Sequence, residues 1–216
     1  MATGSVDEAD LRVRLSEAMA SYKSSWQPVD AELYDLCHRR PSQSMFADVY
    51  TKVTIIGRVY EAGVARAWRG EGDPETVITQ VLLGQADLIQ SGLRRLNDRS
   101  FDKQTVGEIV ELHGHITRAI SHRSAGVFLA SFVSKYLHFH CPIVPIFDSK
   151  AQAALGQFVD REIVSLVRED MASLPEWALA YRNFAAAFVV LHQRAWAETL
   201  LRPTVKDLDH MLWQSK

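Results

Sequence analysis

The chain has 216 residues, enough for one substantial core and short for two. Hydrophobic residues make up 47% and charged residues 23%, which excludes the disordered and collagenous classes. A formal net charge of -2 argues against indiscriminate DNA binding, although it leaves room for a local basic patch. No apolar run approaches the roughly 18 residues of a membrane span. Met1 to Val6 is small and polar, without the basic and apolar regions of a secretory signal. Cys37 and Cys141 supply neither a disulfide framework nor a zinc pattern, which fits a reducing cytoplasm. The expectation is one soluble cytoplasmic domain over 1–216, its first six residues flexible.

Period-3.6 patterns dominate, and no convincing alternating strand is found. An amphipathic segment follows Asp7 and is broken at Trp26-Gln27-Pro28. Asp30 then suits the cap of a short helix carrying Leu33, Leu36 and Cys37. Apolar residues from Phe46 onward predict one long helix through Trp68. Asp73 and Pro74 take the N-cap and N1 positions of a helix running towards Leu96. Further helices are expected over Thr105 to Ile120 and in an aromatic segment reaching about His140. Cys141 to Phe147 holds two prolines and is expected to be extended, because residues before proline avoid the α region. Asp148 starts a helix through Phe158, Asp160 suits the cap of the next, and Trp177, Tyr181, Phe184, Phe188 and Leu191 form a core stripe. Pro203 opens a last helix ending near Trp213. The sum is an all-α bundle of about ten helices.

Chemistry concentrates between Ser124 and Leu155. Lys135 shares a stripe with Phe128, Phe132 and Phe139, so it sits on or beside an apolar face. A lysine so placed snorkels, pairs with an acid, or loses basicity and can then serve as nucleophile or phosphate anchor. Asp148 follows a proline-bracketed strap. It reads either as a plain N-cap or as a carboxylate held at a cleft mouth, able to stabilise a cation or orient water. Both readings hold together. His113 with His115, and His138 with His140, invite a metal, but residues two apart on a helix point about 200° from each other. No Glu-x-x-His or Cys-x-x-Cys motif supports a metal site, so none is expected, and no cofactor either. His138 or His140 suits a polar substrate contact. Lys52 and Arg66 lie almost four turns apart along one line of the long helix, with Arg58 and Arg69 nearby. Such a row either touches phosphates or is a solvated face.

Gly126-Val127-Phe128-Leu129-Ala130, an aromatic helix, and then Val144-Pro145-Ile146-Phe147-Asp148 at a helix start resemble the core of the helix-hairpin-helix DNA glycosylase superfamily. Phe46 to Arg66 resembles that fold's long early helix, which contributes to the DNA-facing cleft. Leu208 to Trp213 is similar to C-terminal segments of 8-oxoguanine glycosylase relatives. The resemblance implies that Asp148 is catalytic and that DNA carrying a modified base is the partner. It also implies that backbone amides at Gly126 and the helix start after it hold a phosphate. Tyr60, Tyr136 and His138 are then candidates to contact the flipped base, and Ser149 and Lys150 join the DNA-binding residues. The usual hairpin has two glycines, whereas Ser124-Ala125-Gly126 supplies one. Phe128 stands where lyase-active members carry their lysine, which implies a monofunctional enzyme in which Lys135 substitutes only if the cleft is remodelled. The chain also resembles bacterial phage-defence glycosylases that remove modified cytosines.

Two other classes compete. A non-catalytic helical module that binds nucleic acid or protein would leave Asp148 as a cap only. A helical toxin RNase requires a spacing of arginine and histidine that Arg118 and His122 do not supply.

Overall fold

Six short polar side chains write the helix boundaries of the computed structural model, which describes residues 6–60, 62–171 and 178–215. Asp7, Asp73, Asp102, Asp148 and Asp160 each accept a hydrogen bond from a backbone N–H two or three residues on, and Thr204 does so within a full capping box with Asp207. The described residues form twelve helices and no strand. These are α1 (Glu8–Ser24), α2 (Gln27–Arg39), α3 (Phe46–Arg58), α4 (Val64–Ala67), α5 (Pro74–Gly84) and α6 (Ala86–Asn97). They continue with α7 (Lys103–Ser121), α8 (Ala130–His140), α9 (Ser149–Leu155), α10 (Arg161–Asp170), α11 (Leu179–Glu198) and α12 (Val205–Gln214).

All-α architecture is therefore as expected, but several boundaries differ, among them the helix after Asp148, which ends at Leu155 and not at Phe158. The helix from Phe46 does not continue through Trp68: it ends at Arg58, and Gly63, at φ 71°, caps a separate short α4. A glycine free to enter the left-handed region lets the chain turn there. The helix from Pro74 hitches at Gln85, whose N–H is shared by the carbonyls of Val81 and Leu82. Asp30 is no cap either. Helix α2 begins at Gln27 with Pro28 in its first turn, so Asp30 lies inside the helix and points into the core.

Helix α7 is the axis of the core, with Val106, Ile109, Val110, Ile116 and Ile120 buried, and α5, α6, α8 and α11 pack on it. On α11 the expected stripe holds for Tyr181, Phe184, Phe188 and Leu191, all buried. Trp177 lies outside the described residues. No helix among the described residues is long and apolar enough to cross a membrane.

The turn between α7 and α8 is braced from outside. A Cβ added to Gly70, in the loop after α4, would sit 2.0 Å from the Arg123 carbonyl oxygen and 3.0 Å from the Trp68 ring. Backbone cannot swing aside as a flexible side chain can. Gly70→Ala is expected to cost about 1–3 kcal/mol by overpacking, read as a lowered thermal midpoint. An unchanged midpoint would mean that the two loops do not touch.

Candidate functional site

The strap between α8 and α9 aims the first functional side chain. Cys141 is extended, a turn follows in which Val144 N–H donates to Cys141 O at 3.0 Å, and residues 145–147 have no regular structure. The strap is therefore not extended throughout, contrary to expectation. Tyr181 on α11 donates its hydroxyl to Pro145 O at 2.9 Å, and Phe147 N–H donates to the Ser134 hydroxyl on α8 at 2.9 Å. Phe147 also meets the rings of Tyr181 and Phe184 edge-on. With both flanks tied, Asp148 is half-buried and its Oδ1 accepts from Ala151 N–H at 2.8 Å. The N-cap expectation is met.

Asp148 opens onto a cleft of about 640 Å³ lined by Tyr60, Arg66, Lys135, Lys206 and Asp209. Trp26, His210 and Trp213 supply aromatic surface, and Ser149 and Lys150 stand exposed on the α9 side. The Lys150 ammonium lies over the Trp213 ring, 4.0 Å from its centre. Lys135 is buried on α8 and donates to Tyr60 O at 3.1 Å, the carbonyl freed where α3 ends. So six residues singled out from the sequence, Tyr60, Arg66, Lys135, Asp148, Ser149 and Lys150, line one cleft.

Beneath the cleft runs a buried ionic network. Asp30, wholly shielded from water, accepts from the Tyr22 hydroxyl at 2.9 Å, the Tyr60 hydroxyl at 2.5 Å and the Lys206 ammonium at 3.3 Å. Lys206 also donates to Asp209 Oδ2 at 3.2 Å. Burial works against the charge on Lys206, but Asp209 and Asp30 outweigh it and hold the ammonium above its ordinary range. Burial pushes the Asp209 carboxyl up, Lys206 opposes that, and Asp148 adds to it. Burial and the bond to Asp30 likewise push the Tyr60 phenol well up, so it stays a donor.

Other candidates fall elsewhere, each for a physical reason. Tyr136 is fully buried and donates its hydroxyl to Gln43 Oε1. His138 is buried: its Nδ1–H donates to Val144 O at 2.7 Å, and its Nε2 accepts from the Tyr34 hydroxyl at 2.5 Å. It holds the strap and does not reach the cleft. His140 Nε2 is taken by Lys52 at 3.3 Å and Gln43 at 3.2 Å. Lys52, far from lying in a surface row with Arg66, is buried and donates to Arg40 O at 2.8 Å. Arg58 is exposed and clasps Glu75 on α5 at 3.0 Å, outside the cleft lining. Gly126 has φ 84° and gives its N–H to Ser121 O at 2.9 Å, so that amide is spent inside the hairpin turn. No group of three metal-ligating side chains occurs among the described residues.

Sequence reasoning missed Lys206 and Asp209 and took Asp30 for a cap. The signal was present for Asp209, an acid between Leu208 and Met211 on an apolar face, the same clue that singled out Lys135. A larger cavity, about 880 Å³, lies beyond Lys206 against Tyr34, Cys37, Arg94 and His140. None of its described lining residues is a carboxylate, and burial pushes the Cys37 thiol up to about 12, which leaves it inert. The acid-bearing cleft is therefore the better seat for chemistry. No protein-family model, no curated protein and no solved structure matches the chain.

Proposed function

We propose that the chain is a monofunctional DNA glycosylase, which takes a flipped modified base into the cleft and hydrolyses its N-glycosidic bond. One observation carries the reading: a strap-held carboxylate, Asp148, opens onto a cleft that also exposes a cation-bearing wall and aromatic rings. At about 640 Å³ the cleft lies within the roughly 300–1,000 Å³ of small-molecule sites. A base must leave the stack before its bond to the sugar is accessible, and the rings of Trp26, Trp213 and His210 suit its flat faces. As the bond breaks, positive charge grows on the sugar. Asp148, one oxygen pinned by a backbone amide, has the other to set against that charge and to orient water. Arg66 and Lys150 at the rim suit phosphates, a local basic edge on an acidic body.

Asparagine caps a helix as well as aspartate does, so Asp148→Asn separates catalysis from capping. The variant is expected to keep the wild-type thermal midpoint and lose at least about a hundredfold in rate. The assay scores alkali-labile abasic sites on DNAs bearing oxidised, alkylated, deaminated, hydroxymethylated or glucosylated bases. Breaks formed without alkali would assign lyase activity and turn attention to Lys135. Equal behaviour of both proteins, with DNA binding intact, would favour a non-catalytic binding module.

A further inference from the structure

The cavity beyond Lys206 encloses about 880 Å³, within the roughly 300–1,000 Å³ of small-molecule sites, and its walls differ in kind. One wall is a single face of α6, where Gln90, Leu93, Arg94 and Asn97 recur at the three- and four-residue spacing that brings helical side chains together. The other is aromatic: Tyr34 on α2 and Phe139 on α8, their rings 5.0 Å apart, with Tyr22 on α1. The Tyr22 and Tyr34 hydroxyls are spent on Asp30 and His138, and the Lys206 ammonium on Asp30 and Asp209. What those rings offer a ligand is apolar surface. The α6 face is the reverse. Gln90, Arg94 and Asn97 have no side-chain hydrogen bond or ion pair among the described residues. Arg94 and Arg95 both stand in the last turn of α6, yet only Arg95 is answered: it and Arg99 meet Glu108 of α7, at 3.8 and 3.4 Å. No carboxylate is among the cavity's described lining residues to oppose an anion beside Arg94. A guanidinium with an amide one turn away on either side presents a planar fork for a phosphate. Each amide adds a donor and an acceptor side by side, which match the polar edge of a nucleobase and nothing on a hydrocarbon ring.

We propose that this cavity is a second binding site, and that its ligand is a nucleoside monophosphate. The phosphate sits on Arg94, the base edge meets the amide of Gln90 or Asn97, and the base face lies against Tyr34 and Phe139. Free mononucleotide suits the site better than a strand does, because one fork of positive charge answers one phosphate. The site binds and does no chemistry of its own. It is separate from the Asp148 cleft, with Lys206 standing between the two and lining both. The assignment goes beyond the glycosylase reading and does not depend on it.

The test titrates the full-length protein by calorimetry with AMP, GMP, CMP and UMP, with the matching nucleosides, and with inorganic phosphate. At least one mononucleotide is expected to bind one to one, about tenfold or more tighter than its nucleoside and than phosphate alone. Arg94→Gln is expected to weaken that binding by about tenfold or more, while Arg95→Gln, on the flank that meets Glu108, leaves it unchanged. Both side chains are exposed, so both variants are expected to keep the wild-type thermal midpoint. Lys150→Gln, in the Asp148 cleft, is expected to leave the affinity unchanged. Binding lost in Lys150→Gln but intact in Arg94→Gln would put the nucleotide in the Asp148 cleft and overturn the assignment. A nucleoside that binds as tightly as its nucleotide would remove the phosphate from Arg94, and phosphate that binds as tightly would remove the base; either overturns the proposal. So does the absence of saturable binding by every mononucleotide.

Discussion

Asp30→Ala is expected to destabilise the protein by about 3–5 kcal/mol, the range for breaking a buried ion pair from one side. The Asp30 carboxylate is the shared acceptor of two phenols and one ammonium, at 2.9, 2.5 and 3.3 Å, and no water reaches it. Alanine would leave the buried Tyr22 hydroxyl and the half-buried Tyr60 hydroxyl without this acceptor and give Lys206 one counter-charge where it had two. Asp30→Asn keeps an acceptor and is expected to cost less. The informative partner is Lys206→Met, because replacing both members of a buried pair by apolar groups is often nearly neutral. The double variant Asp30→Leu with Lys206→Met is therefore expected to be more stable than the summed single losses predict. Denaturant midpoints with unchanged slopes read all of these. A loss under about 1 kcal/mol for Asp30→Ala would show that the network carries little weight. Function is tied in as well: Asp30 positions Tyr60, and the Tyr60 carbonyl positions Lys135. Abasic-site formation is expected to weaken even at temperatures where the variant remains folded.

Local chemistry was legible in the sequence, and long-range chemistry was not. Asp73, Asp148 and Asp160 announced themselves as caps because an N-cap bond spans two or three residues. The apolar face of α11 was readable for the same reason. Asp30 misled because a carboxylate ahead of an apolar run looks identical whether it caps the helix or enters the core. Its partners lie on α1, after α3 and on α12, separations that no local pattern encodes. Arg66 and Lys52 lie along one line only if a single helix runs from Phe46 through Trp68; the helix end at Arg58 and the left-handed Gly63 divide them. In the site, Asp148 and Lys135 were legible from a stiff strap and an anomalous charge. His138 and Tyr136 were misplaced because helical spacing does not say which flank of α8 meets α2 and which meets the cleft.

Acidification is expected to unfold the protein well above the range where most carboxylates protonate. Burial pushes His113 down to about 4 and His138 and His140 to about 3, with Lys206 and Lys52 adding repulsion at the last two. Unfolded histidine titrates near 6.5. The folded values are thus depressed, and the fold holds these rings neutral while the unfolded chain protonates. Their stabilisation is complete above about pH 6.5 and is lost as pH falls from there towards 4 and 3. At pH 5 unfolding is expected to take up about three protons from this trio, seen as the slope of stability against pH. His192, pushed by burial to about 4, steepens it further. The hydrogen bonds agree with the sign: His140 Nε2 and His138 Nε2 both act as acceptors, a role that a protonated ring cannot fill. A His138→Gln variant is expected to reduce the uptake by about one proton, and a stability flat from pH 7 to 4.5 would refute the account. Because His138 anchors Val144 in the strap that carries Asp148, acid loosening of this ring is expected to cost abasic-site formation before it unfolds the core.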